Sequence, residues 1–581
     1  MLLLFSLQDA RSQGTTVDQF ISSCPSAQEI NSFNSDLLLT FEGDPSAGTL
    51  VCTAAGGSAD LTRLQERTYQ ALRVMRRHPF STQLPWTSGN LYDWFVSAID
   101  GVRFRTDIQF SFCCDPPGFI NIRANGLTAL TTPYWIDPVF HEGLAGLMIL
   151  LVHEARHNQG FLHTCSANDQ TISELGSWGV QYYIEEWLAF YSGSFLNAPA
   201  GFPSTNFYHQ EHWVRAESTR DFRFCDMGSG VVLTPAGRSF GNQAVAVRSS
   251  QEIFAVTATT STSVAVSIAS MGGTNAQDFP AVTQDCQNAV VPPSCLILVG
   301  FMPEATGPRS AVLNASTSVP GSPPGSALSG TGTPLVVTIN SGGVVNASGF
   351  AAAQPVAPGS IAAVFGSNLA SFPVLAGAVP LPSMLGGATM NFNGSQAVPK
   401  FFASPLQINI QVPWELAGQN QATLTDTLAS VTSNSEAVAL TAFAPGLFAI
   451  NQQGTGQGAI LIANSAAFAA PAGSIPGASS RPAVRGMDFL EIYWTGGGPV
   501  NPAIATGAAA PLTPLSATTT TPTLTIGGVD TPVLFSGLAP NFVGLYVVTC
   551  MVPAGAPIGN AVPVVLNIGG VPSNAVTIAV E

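Results

Sequence analysis

Residues 153 to 163 read His-Glu-Ala-Arg-His-Asn-Gln-Gly-Phe-Leu-His, and no other stretch restricts the chain as tightly. His153 and His157 are four apart, so a helix sets their imidazoles on one face, a turn from each other. Two neutral ring nitrogens placed in this way can reach one Zn²⁺ at about 2.0–2.1 Å. Glu154 follows the first of them, within reach of water at the ion without binding the ion itself, which is the position of a general base. Gly160 permits the left-handed turn that ends a helix. His163, three residues on, can swing back as a third ligand. The preceding run, Gly143 to Val152, is apolar throughout, as expected of a helix buried beneath a site. A purely structural helix would leave Gly160 and His163 at these offsets to chance, in a chain with seven His in 581 residues.

This run resembles the HExxH of the zincin metallopeptidases, and in full it matches the extended metzincin pattern HExxHxxGxxH. The resemblance implies a zincin-like α+β domain that holds Zn²⁺ through His153, His157 and a third residue. It also implies Glu154 as catalytic base and a peptide or protein as substrate. The third ligand is open between two residues. His163 has the glycine at the right offset; Glu174 is the alternative, because in the gluzincin branch a downstream helix supplies a glutamate. Glu174 also has a plain reading, since Thr171-x-x-Glu174 forms a capping box at the head of a helix expected over about 172–191. The chain departs from metzincins after His163, where a Met-turn should come before the next helix. The nearby methionine with turn context, Met227, lies beyond that helix.

A net charge of −15 and a pI near 4.8 argue against nucleic acid or anionic membrane as the main partner. Only 9% of residues are charged and Lys400 is the sole lysine, whereas 57 Gly and 43 Pro suit many short strands and tight turns. No apolar run reaches the roughly 18–20 residues of a membrane helix, so no transmembrane segment is expected. Residues 1–14 read as the remnant of a secretory signal that lacks a basic n-region, with a frayed apolar end as the alternative. Cys24 with Cys52, and Cys286 with Cys295, bracket loops of a size that disulfides close, which points outside the cell. Cys113, Cys114, Cys165 and Cys225 share the His-bearing domain. Their spacing fits no standard cysteine metal site, so disulfides are the expected use. Cys550 is left alone in a strand.

Within 15–229, a helix capped by Ser58 or Asp60 should run to about His78 with Leu61, Leu64, Leu72 and Met75 on one face. A second helix is expected over Leu91–Ile99. Val102 to Cys113 alternates as a half-buried strand does, with Phe119–Ala124 as its partner. His141-Glu142 reads as the capped start of the His-bearing helix. His209, Glu211 and His212 form a second cluster, and one of them, or Tyr208, could supply the group that steadies an oxyanion, although a solvated polar loop is the plainer reading. All seven His precede residue 213, which confines metal chemistry to this domain.

From about residue 230 the texture changes to Ser, Thr, Val, Ala and Gly in strand-length segments. The run Leu233 to Val245, the Asp278-Phe279 step, Cys286, Ser294-Cys295, Phe301-Met-Pro and the closing Leu328-Ser-Gly-Thr-Gly resemble a Hydin-type immunoglobulin-like domain over 230–332. That resemblance implies a seven-strand sandwich with no catalytic residue. Residues 335–581 resemble the Solibacter-type C-terminal domain of acidobacterial secreted proteins. The marks are Ala357-Pro-Gly-Ser-Ile, Phe365-Gly-Ser-Asn-Leu, Gln407-Ile-Asn-Ile-Gln-Val-Pro, Ala444-Pro-Gly-Leu-Phe and Thr495-Gly-Gly-Gly-Pro-Val. Ala388–Pro413 parallels Thr523–Pro553, so two stacked sandwich units are expected, 335–445 and 446–581. The chain is thus expected to be multidomain, a zincin-like domain followed by all-β immunoglobulin-like sandwiches. Two functions follow: a secreted zinc metallopeptidase, or a non-catalytic surface or adhesion protein with a relic zincin domain, whose β-units make cell-surface or matrix contacts.

Overall fold

A computed structural model describes residues 16–42, 52, 58–77, 84–87, 89–124, 134–137, 143–197, 207–226, 230–259, 263–291, 293–318, 325–475 and 478–581. The signal remnant at 1–14, the cap at His141-Glu142, the helix end at His78 and the Met227 turn lie outside the described residues. The chain is multidomain and mostly β. Among the described residues its α-helices are confined to the region before residue 223.

That region packs α1 (Val17–Ser22), α2 (Ala27–Asp36), α3 (Leu64–Arg77), α4 (Leu91–Ala98), α5 (Leu144–Asn158), α6 (Ser177–Phe190) and α7 (Phe207–Phe222) around one sheet. The sheet order is β1 (Leu38–Glu42), β2 (Gly101–Arg105), β4 (Phe119–Arg123), β3 (Phe112–Cys113). The first three strands are parallel and β3 runs antiparallel at the edge. Val102, Phe104, Ile120 and Ile122 are fully buried between the sheet and the helices. The apolar run 144–152 forms the buried body of α5, each large side chain contributing about 1.5–3 kcal/mol on burial. Leu61, Leu64, Leu72 and Met75 are all buried, but α3 begins at Leu64, because the Asp60 carboxylate closes a turn on Thr62.

Three expectations need correction here. The strand over 102–113 is broken in two, since Arg105 pairs with Asp107 and turns the chain. The helix expected from 172 starts at Ser177: Ile172–Glu174 is a separate 3-10 turn, Thr171 makes no capping hydrogen bond, and Leu175 takes a left-handed conformation with φ 52°. Tyr208, His209 and His212 lie on α7 rather than in a solvated loop, and His212 is fully buried.

The strands from Val231 to Thr333 form a two-sheet, immunoglobulin-like sandwich. One sheet has the order β10 (Ala289–Val291), β8 (Val264–Gly272), β12 (Gly307–Thr317), β13 (Ser326–Thr333), β6 (Gly237–Ala244). The other runs β5 (Val231–Thr234), β7 (Glu252–Ala258), β11 (Cys295–Val299), β9 (Ala281–Val282). Two short strands thus join the seven expected. Phe279 and Phe301 stack in its core, with the half-buried Phe240 tilted against both. The back of α6 packs directly on this sandwich. Glu186 accepts from the Ser294 N–H and hydroxyl, both at 2.9 Å, Tyr183 Oη bonds Thr257 Oγ1, and Tyr191 Oη donates to the Ser294 carbonyl. Ala255 belongs to the helical core.

Two further sandwiches follow, with cores built on Val337–Leu440, which Val247 joins, and on Leu447–Val580; Trp414, Phe443 and Ile361 of the first unit pack against the second. Their strand registers repeat. Lys400 pairs with Ile410 as Val533 pairs with Cys550, and each ladder slips at the next step. Met390 pairs with Asp426 as Leu524 pairs with Leu566. Cys24–Cys52, Cys113–Cys114, Cys165–Cys225 and Cys286–Cys295 are disulfides, and Cys550 is free and buried in its strand. Among the described residues no helix is long and apolar enough to cross a membrane.

Candidate metal centre

The apolar body of α5 is buried, so its last two turns carry His153 and His157 out to the edge of the core. Gly160 then adopts φ +88° and its N–H bonds the His157 carbonyl, reversing the chain. His163 returns to the same face. One nitrogen from each of His153, His157 and His163 lies within 4.8 Å of the others, the one such group of three among the described residues. The ring centroids are 4.7–5.5 Å apart.

Hydrogen bonds orient two of the three rings. A carbonyl and a carboxylate can only accept, so His157 Nδ1 donates to the Phe161 carbonyl at 2.7 Å and His163 Nδ1 donates to Asp169 Oδ1 at 3.0 Å. Both rings therefore keep an Nε2 lone pair, which is the tautomer a metal ligand needs. His153 Nδ1 is buried and has no hydrogen-bond partner. An orphaned buried nitrogen beside two oriented imidazoles is a donor set that fits Zn²⁺. Burial, and then the neighbouring His157 and His163, pull His153 down to about 3, so its ring is neutral.

The N-terminus of α6 closes the site. Ser177 Oγ lies 2.9 Å from His157 Nδ1 and 3.1 Å from its Nε2, beside the nitrogen that a metal would take, and Trp178 packs edge-on against His153 and stacks on His163. Buried Asp169 joins the two elements, accepting the Trp178 N–H through Oδ2 at 3.0 Å. A side chain at Gly176 would come within 2.4 Å of that oxygen, so glycine is required there. The Cys165–Cys225 bond, together with the Asp169 N–H to Arg223 carbonyl contact, ties the loop to the end of α7.

Glu154 is 6% exposed and makes no hydrogen bond or ion pair among the described residues. Burial alone pushes its carboxyl up to about 7, within the range of a general base at neutral pH. Glu174 is not part of the His group; its carboxylate accepts from Thr164 Oγ1 at 2.7 Å. The second cluster does other work: Tyr208 donates to Asp18, His209 bonds the Ala189 carbonyl, and His212 is held between Glu185 and Trp135 Nε1 in the core. Asp169, Ser177 and Trp178 escaped the sequence reading. The one signal for them was the glycine at 176, whose reason is three-dimensional.

No protein-family model matches the chain, and no curated protein matches it either. Among solved structures, the I9–I11 tandem of titin matches at 8% identity and a TM-score of 0.14, covering 60% of this chain and 98% of the titin fragment. The Bacteroides ovatus glucan-locus protein SGBP-B, solved with a mixed-linkage heptasaccharide, matches at 11% identity and a TM-score of 0.19. That match covers 52% of this chain and 61% of SGBP-B. Domains 5–6 of the S-layer protein SbsC match at 11% identity and a TM-score of 0.16, covering 42% of this chain and 98% of that fragment. Likenesses this slight carry no argument; the sandwich assignment rests on the strand pairing itself.

Proposed function

We propose that the chain is a secreted zinc-dependent metallopeptidase. The observation that carries this reading is the convergence of three imidazole nitrogens within 4.8 Å, two from the helix that also buries Glu154 and the third, His163, from the loop beyond its end. His153, His157 and His163 would hold the ion, while Asp169 and the Phe161 carbonyl keep two of the rings in the ligating tautomer. When bound, Zn²⁺ supplies a Lewis acid that polarises a peptide carbonyl and acidifies water. Glu154 takes a proton from the attacking water, holds it in its buried carboxyl, and delivers it to the leaving amine. Trp178 shields one side of the site from solvent. Secretion is supported by the four disulfides, which persist in oxidising compartments.

Metal analysis of the full-length chain after zinc loading and dialysis, alongside casein hydrolysis with and without a chelator, tests this. Stoichiometric zinc and chelator-sensitive cleavage are expected. A chain that takes up no zinc sinks the metal reading. A zinc-loaded chain that cleaves no peptide in a random library sinks the peptidase and leaves the surface-binding alternative.

A further inference from the structure

A cavity of about 160 Å³ opens far from the His group, between the two C-terminal sandwiches. Phe350 and Phe401 of the first unit and Phe448 and Phe542 of the second face it. An apolar cavity of about 150 Å³ takes up benzene, so this one has room for a single six-membered ring. No Asp, Glu, Lys, Arg or His lines it, and a charged ligand would lie there uncompensated.

Its polar edge is more specific. Gln407 and Asn409 stand two apart on the strand Gln407–Gln411 and therefore share a face. Gln407 Nε2 donates to Asn409 Oδ1 at 2.7 Å. That bond leaves Gln407 Oε1 as an acceptor beside Asn409 Nδ2 as a donor, and neither has another partner among the described residues. Neighbouring hydroxyls, each able to donate and accept, match such a pair, and a hydrocarbon ring does not use it. The backbone adds a second, separate sign. Phe350 from one unit and Gln452 from the other both line the cavity in the left-handed region, at φ +53° and +57°. Bulky residues adopt that conformation at a cost, and such strain collects at ligand clamps.

We propose that this cleft binds one neutral pyranose ring of a saccharide, stacked on the phenylalanines and held through two adjacent hydroxyls by Gln407 and Asn409. The two units form the site together, neither providing it alone.

The test passes the full-length protein over immobilised neutral, acidic and amino oligosaccharides, then titrates the best neutral binder by calorimetry. Retention on neutral glycans is expected, with affinity falling about tenfold or more in Asn409→Leu, the scale of one lost hydrogen bond with its partner left bare. Gln452→Ala, at an exposed rim position, should weaken binding without touching the fold, and a thermal melt checks both variants. The proposal is overturned if no neutral glycan is retained, if acidic glycans bind as well, or if the variants bind like wild type. Uptake of N-acetylphenylalanine amide in place of any sugar would overturn it too, marking a peptide site. None of these readouts involves zinc, so they stand apart from the peptidase reading.

Discussion

Lys400 and Asp426 offer the sharpest quantitative test of how this chain is built. Both are fully buried in the first C-terminal sandwich. Lys400 Nζ donates to the Ser383 and Val398 carbonyls, whereas neither Asp426 oxygen has a partner among the described residues. Burial is the larger cause in each case, pulling Lys400 down from 10.5 to about 8 and pushing Asp426 up from 3.8 to about 7. Between pH 4 and 7 the folded chain holds an Asp426 proton that the unfolded chain has lost, so stability falls as pH rises. Between 8 and 10.5 the unfolded chain holds a Lys400 proton that the folded one lacks, so stability rises with pH. The floor therefore lies at pH 7–8. At about 1.4 kcal/mol per tenfold change, the arms are worth roughly 4 and 3 kcal/mol. The second unit fills the matching positions with Val533 and Leu566. Transplanting them as Lys400→Val with Asp426→Leu should stabilise the unit by about 1–4 kcal/mol at pH 7.5, while each single change costs about 3–5 kcal/mol. Hydrogen exchange of the strands Lys400–Ala403 and Gln421–Leu428 in the full chain reads both effects. A double variant less protected than wild type, or a wild type without the pH 7–8 floor, would refute the reasoning.

Other outcomes follow from the His site. Glu154→Gln should keep its zinc and lose about 10²–10⁴-fold of any hydrolysis, read by metal analysis and peptide cleavage. His163→Ala should release the metal, whereas Glu174→Ala should retain it and lose only the Thr164 hydrogen bond, about 1 kcal/mol in a thermal melt. Asp169→Asn should weaken zinc binding about 10–100-fold in a competition titration, because His163 loses its carboxylate partner. Replacing both Cys165 and Cys225 with serine opens a link across 60 residues and should cost about 4 kcal/mol, measured by denaturant unfolding.

The sequence was most readable where one local rule decides the outcome. Four-residue spacing and a left-handed glycine are enough to bring His153, His157 and His163 together. The internal repeat of Ala388–Pro413 in Thr523–Pro553 was visible as sequence, whereas the matching strand registers show only in the fold. Reading failed where long-range partners override local signals. The capping box at Thr171 is real as a pattern, but the 3-10 turn there packs against β5 and Leu175 turns left-handed, so the helix waits for Ser177. His212 looked solvated among Tyr, Gln and Glu; only Glu185 and Trp135, distant in sequence, make it a core residue. The capping box Ser26-x-x-Glu29 at the head of α2 was legible and went unread, hidden in a stretch of mixed composition.

Helix α6 has two working faces. Its first turn walls the histidines, and its other side plugs Glu186 and Tyr183 into the neighbouring sandwich. A protease nicking the chain near residue 229 would therefore not free an intact histidine domain, because the cut would bare a carboxylate and a tyrosine that water has never met in the folded protein. Shuffling by recombination meets the same obstacle. The helical region and the first sandwich are thus one heritable cassette, since Ser294 and Thr257 complete hydrogen bonds that begin on α6.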